Sequence, residues 1–152
     1  MKKFLAVILT VAALVACLVF TGCKSEEIEL TSSNYKTYLD VSVTLEPDKA
    51  HKDKDSGKTY YNNIIPNVEV KGASTNYNYN DVVIAFNLTG KVHTRSGEVR
   101  EILDEPVLVK CNIAGNGSYA TSIPTLKDFY WDSETDVKLK LSYVKGTVTP
   151  AK

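Results

Sequence analysis

Cysteine is scarce in this chain: Cys17 and Cys23 fall in its apolar opening, and Cys111 stands alone thereafter. A single cysteine cannot close an intramolecular disulfide, so whatever folds after residue 23 must stand on its core. A surplus of positive charge is missing too. Setting aside Lys2 and Lys3 leaves 16 basic side chains against 18 acidic ones, a net charge of −2. Nucleic-acid binders show a basic excess, so no nucleic-acid partner is expected. Helical periodicity is nearly absent, with room for one helical turn in LKDFYW (Leu126–Trp131). There is no internal repeat and no low-complexity tract.

Patterns that carry chemistry are equally sparse. Asp53-x-Asp55-x-Gly57 has the rhythm of a calcium loop. An EF-hand counted from Asp53 needs glycine at its sixth position and glutamate at its twelfth, but Lys58 and Ile64 stand there. Lys49, Lys52, Lys54 and Lys58 oppose a cation in the same stretch, which reads as a solvated hairpin loop. His51 and His93 lie in separate segments without ligand spacing. No G-x-S-x-G motif occurs, and no third partner completes a triad. No metal, no cofactor and no catalysis are therefore expected.

What is present begins at the N-terminus. Met1-Lys2-Lys3 precedes an apolar run from Phe4 to Phe20, and small or polar residues follow. A basic start, an apolar centre and a small-residue end form a secretory signal. The apolar run is about 17 residues long, near the lower limit for a membrane-spanning helix. Its flanks separate the two readings: Thr21-Gly22-Cys23 closes it and Lys24-Ser25-Glu26-Glu27 is charged at once. This segment resembles the lipobox of bacterial lipoproteins, in which a small residue precedes a cysteine that is acylated and becomes the mature N-terminus. Phe20 stands where that family usually has leucine. Leu14-Val15-Ala16-Cys17 fits by residue type, but Leu18-Val19-Phe20 stays apolar after it. The resemblance therefore implies a signal peptide over 1–22 and lipidation at Cys23, with Cys17 as the alternative. It implies nothing about the rest of the chain.

The 129 residues after Cys23 have the size of one domain. Residues 23–34 read as the acylated cysteine and a polar tether. Its eleven residues from Lys24 would reach at most about 36–40 Å. The alternative is that Ile28 and Leu30 open an edge strand. From residue 35 to 150 the pattern is strand-like. Leu39, Val41, Val43 and Leu45 alternate with Asp40, Ser42, Thr44 and Glu46, which puts the apolar set on one face. Val68 and Val70 repeat the pattern. Val82, Ile84, Phe86 and Leu88 share a face opposite Val83 and Ala85, as in a central strand. After a turn at Arg95-Ser96-Gly97, Glu98–Leu103 returns, and Val107, Val109, Cys111 and Ile113 align beyond Pro106. Cys111 reads as a buried, inert thiol. Ala114-Gly115-Asn116-Gly117 signals a turn, Ser118–Ile123 a short strand, and Val137, Leu139, Leu141 and Tyr143 the inward face of a last one. About seven strands with turns between them predict an all-β fold, an antiparallel immunoglobulin-like β-sandwich, with a small barrel as runner-up. The immunoglobulin likeness is one of architecture: the Cys…Trp…Cys pattern is absent.

Two segments, TYYNNIIPN and STNYNYND, combine Tyr60, Tyr61, Tyr77 and Tyr79 with asparagine. Tyrosine supplies a rigid amphipathic face and asparagine supplies adaptable hydrogen bonds, a pairing found in binding loops. The alternative is that these tyrosines cap the core while asparagine makes turns. The expectation for function is a lipid-anchored, non-catalytic binding or structural module at the extracytoplasmic face of a bacterial membrane. The partner would be an envelope protein or glycan. Rival readings are a hydrolase with a site built from loops and a small-ligand carrier with an apolar cavity.

Overall fold

A computed structural model describes residues 26–94, 96–130 and 135–152. The signal segment, Cys17, Cys23, Arg95 and Trp131 lie outside them. Among the described residues there are nine strands: β1 (Ile28–Thr31), β2 (Leu39–Pro47), β3 (Ala50–Lys52), β4 (Thr59–Gly72), β5 (Tyr77–Thr94), β6 (Val99–Ala114), β7 (Ser118–Ser122), β8 (Leu126–Tyr130) and β9 (Asp136–Pro150). One helical turn, α1 (Tyr35–Tyr38), joins β1 to β2.

The fold is an antiparallel β-sandwich. One sheet runs β1-β9-β5-β6. The other is built on β4, with β2 and β3 along one edge and β7 and β8 along the other. β9 leaves β5 at Lys91↔Asp136, and β8 pairs with β5 just beyond, at His93↔Tyr130 and Thr94↔Phe129. The two sheets are thus laced together at one corner. Pro66 lies inside β4, where a missing N–H would ordinarily break a ladder. It faces the gap between β7 and β8, and only its carbonyl is used there, accepting from Ile123 N–H at 3.0 Å.

Alternation builds the core. Val68, Val70, Val82, Ile84, Phe86, Val107, Val109, Cys111, Ile113, Val144 and Val148 all point between the sheets and are buried. A second cluster sits at the laced corner: Ile64, Leu88, Val92, Ile102 and Phe129. The strand readings around Val41, Val68, Phe86 and Val109 hold, but several strands are longer or additional. Glu98–Leu103 and Pro106–Ile113 are one strand, β6, and LKDFY is strand rather than a helical turn.

Three bulges change the inward parity. Asp81 takes φ +49° and lets both Tyr79 and Val82 face inward. Asp104 takes φ +48° between buried Ile102 and buried Val107. Aspartate is among the few non-glycine residues that tolerate this region. Ser142 is the third: Phe86 pairs with Leu141 and Ala85 with Tyr143, so Ser142 is the extra residue. Its hydroxyl donates to the Ala85 carbonyl at 3.1 Å. The expected inward position of Tyr143 is therefore corrected: it points outward, 48 % exposed, and Val144 is buried in its place.

The boundary at residue 35 is also corrected. β1 pairs with β9 from Ile28↔Val148 to Thr31↔Lys145, and Leu30 is fully buried. Apolar area removed from water outweighs the polar look of the segment around it. Asn34 reinforces the turn after β1, its side chain accepting from Thr31 N–H at 2.8 Å and donating to the Glu29 carbonyl at 2.9 Å. Leu30→Ala is expected to cost about 2–5 kcal/mol. A urea midpoint equal to that of the parent protein would return these residues to the tether.

Candidate functional site

The four tyrosines singled out from the sequence do not share a surface. Tyr60 and Tyr61 open β4, whereas Tyr77 and Tyr79 open β5, beside the other end of β4. Eleven residues of strand separate Tyr61 from Gly72, about 36 Å. The flanking asparagines Asn62, Asn63, Asn78 and Asn80 lie within strands, not in turns.

Tyr79 is wholly buried, and its reading as a recognition residue is corrected. The Asp81 bulge turns its ring into the core, and its hydroxyl oxygen accepts from Ser74 N–H at 3.2 Å. The ring lies against Gly72, where a Cβ would strike both the ring and the Gly115 carbonyl. Gly72 also donates its N–H to the Gly117 carbonyl at 3.0 Å, so the end of β4 touches the Ala114–Gly117 turn through backbone alone. Tyr77 is half-buried, with its ring edge-on to Tyr38 of α1 at 5.9 Å. Tyr61 packs on the laced corner, 6.2 Å from the Phe129 ring.

Tyr60 is the one of the four that stacks on a polar ring. It sits opposite His51 in the β3–β4 ribbon, and the two rings lie parallel at 5.3 Å. Asn62 Nδ2 and His51 Nε2 are 3.0 Å apart. Asp48 pins the same ribbon: Oδ1 accepts from Asn62 N–H at 2.9 Å and Oδ2 from the Asn63 side chain at 3.1 Å. Asp53 organises the connecting loop, its Oδ1 accepting from Asp55 and Ser56 N–H groups at 2.9 and 3.1 Å. These carboxylates are engaged in holding the hairpin. The ribbon offers an aromatic–imidazole plate with an amide beside it, suited to stacking and hydrogen bonding.

No protein family, curated protein or solved structure matches this chain. The chemistry must be read from the side chains. His93 lies between Val99 of β6 and Tyr130 of β8, on a different ladder from His51. Among the described residues no group of three His, Cys, Asp or Glu side chains is placed to hold a metal ion. Cys111 is buried as expected, and burial pushes its thiol pKa up, away from the reactive thiolate. Among the described residues no helix is long and apolar enough to cross a membrane.

The sheet faces add two features that sequence reading missed. Outside β2-β4-β7, Ser42, Thr44, Asn67, Glu69, Thr121 and Ser122 line an open groove of about 420 Å³. Outside β6-β5-β9, Leu108 is 55 % exposed and joins Tyr143 across Ala85 in one cross-strand row. The sequence did hold a signal for Leu108, an apolar residue at an outward position in PVLVK. Tyr143 was hidden by the Ser142 bulge.

Proposed function

We propose that this protein is a lipoprotein of the bacterial cell envelope, held at the extracytoplasmic membrane face through acylated Cys23, with its β-sandwich acting as a non-catalytic binding or structural module. The observation that carries the reading is the switch at Gly22-Cys23 from apolar to charged sequence. The position of the first strand supports it. Ile28 begins β1 five residues after Cys23, so the folded body starts where a lipoprotein's mature chain starts. On this reading the Tyr60–His51 plate is the recognition feature that remains for an envelope protein or glycan.

The test is the mature N-terminus. One acyl chain binds a bilayer marginally, whereas two hold it stably. A lipoprotein cysteine carries at least two, so the protein should float with membranes and yield an acylated N-terminal peptide beginning at Cys23. Cys23→Ala should abolish that peptide and leave unprocessed precursor. Mass spectra showing another N-terminus end the assignment, and an acylated Cys17 selects the alternative cysteine.

A further inference from the structure

Two strand edges on one flank of the sandwich are open. The tight turn at Ala114–Gly117 joins β6 to β7 and sets those strands on the same flank. β2 edges the second sheet on the other flank, beside β9 and β1 of the first. β1 covers β9 from Lys145 to Val148 and leaves Asp136 to Tyr143 beyond its reach. Among the described residues, no strand pairs with that stretch of edge or with the outer edge of β2. The backbone groups left over on both edges belong to apolar residues. Successive residues of a strand turn N–H and C=O to opposite sides. Asp48 N–H donates to the Asn63 carbonyl, so the even positions of β2 face β4, and Val41, Val43 and Leu45 face outward. Val144 N–H donates to Ser32 Oγ on the β1 side. Past the Ser142 bulge the same side falls to Leu141, Leu139 and Val137. All six side chains pack on the core clusters, yet each is only half-buried, so the core lies open along this flank. The outer sides of the two edges differ in charge. Asp40, Ser42, Thr44 and Glu46 line that of β2, and Lys138 and Lys140 that of β9. Lys71 stands opposite Asp40, Asp136 is 3.1 Å from Lys138, and Lys49 lies beyond Pro47.

We infer that a second copy of this chain closes the open flank, β2 of each copy adding to β9 of the other. The strand directions permit it. Phe129 pairs with both Tyr61 and Thr94, so both sheets can be counted from that corner. β2 runs toward the corner and β9 away from it, so the two are antiparallel. Val43 pairs with Val68, seven residues on from Tyr61, and Lys140 pairs with Asn87, seven residues back from Thr94. Val43 and Lys140 therefore stand at equal height. A two-fold axis along the strands preserves heights and directions. It joins the first sheet of each copy to the second sheet of the other. A one-residue adjustment sets Val43 against Leu141 of the second copy and Leu45 against Leu139 of the second copy, which aligns the outward backbone groups. Glu46 then meets Lys138 of the second copy, and the symmetry repeats the pair. The other side-by-side axis pairs β9 with β9 and β2 with β2. In registers centred near Leu139 it sets lysine against lysine, and centred on Val43 it sets Asp40 against Glu46. Like charges directly opposite are destabilising. Charge therefore selects the first arrangement. The same axis leaves both N-termini at one end, as two chains anchored in one membrane require. The inference stands on the two edges and goes beyond the lipid anchor, with which it agrees.

The experiment uses the full-length protein in mild detergent. Sedimentation at micromolar concentration should give the mass of two chains. Oxidation of the double variant Glu46→Cys, Lys138→Cys should link the copies in high yield. These two positions form a non-hydrogen-bonded antiparallel pair, whose Cα atoms lie about 4.5 Å apart, within disulfide reach. Either variant alone should link poorly. Lys138→Glu or Glu46→Lys should weaken the dimer several-fold, and the two together should restore it, which misfolding would not allow. In the dimer the amides of Val43, Leu45 and Leu139 should resist hydrogen exchange, and they should open on dilution. A monomer at every concentration overturns the inference. So does linking by Lys138→Cys alone at the yield of the double variant, which would pair β9 with β9. Neither result bears on the anchor, because acylation is read separately from the N-terminal peptide.

Discussion

Tyr79→Ala is expected to lower stability by about 3–5 kcal/mol, the usual cost of truncating a buried aromatic side chain. A domain of this size has only about 5–15 kcal/mol in total, so much of the margin would be lost. The loss has two parts. The ring fills the space against Gly72, where the β4 end meets the Ala114–Gly117 turn. Its hydroxyl also serves Ser74 N–H, which would lose its partner. Tyr79→Phe separates the parts: it keeps the ring and should cost about 1 kcal/mol for the hydrogen bond. Denaturant midpoints for both variants measure this, and an unchanged midpoint for the alanine variant would place the ring outside the core. The same pair distinguishes a core tyrosine from a recognition residue, whose truncation would leave folding intact.

Phe86→Ala should be comparably damaging, at about 3–5 kcal/mol. Phe86 sits on the central strand of its sheet, 2 % exposed, within the main cluster. Its neighbour across β9 supplies the control. Tyr143 would share the Phe86 face if β9 alternated without interruption, and would be costly to remove. Because Ser142 is bulged out, Tyr143 stands outside. Tyr143→Ala should therefore stay within about 0.5 kcal/mol, as exposed substitutions do. Equal losses at Phe86 and Tyr143 would show the bulge to be misplaced.

These contrasts mark where the sequence was readable. Period-two alternation placed Leu39, Val68, Val70, Phe86, Val109 and Cys111 correctly because burial of one face dominates a strand's energetics. The reading slipped wherever the period itself was broken. Asp81, Asp104 and Ser142 each add one residue, and after each the inward set changes parity. A bulge is fixed by the partner strand as much as by its own residues, so a single segment does not announce it. Asparagine-rich stretches misled for a related reason. Asn62, Asn63 and Asn80 look like turn residues, yet Asp48 and Thr149, both distant in sequence, hold them in strands. β1 was hidden because one leucine decides it: Leu30 sits among charged and hydroxyl residues, and its burial depends on β9. The candidate site was legible only at Tyr60, since the outer-face row of Leu108, Ala85 and Tyr143 exists only once three strands are in register.

The pairing of β1 with β9 also sets an order of events in time. A chain made from its N-terminus presents Ile28–Thr31 first, but the residues that hydrogen-bond to them are 145–148. β5 likewise waits for β9 along most of one edge. Neither sheet edge nor core can close until nearly the whole chain has emerged, and contacts so distant in sequence form slowly. On the lipoprotein reading proposed above, the chain would still be open as it crossed the membrane, the state that export through a narrow channel requires. The last strand to arrive acts as the latch.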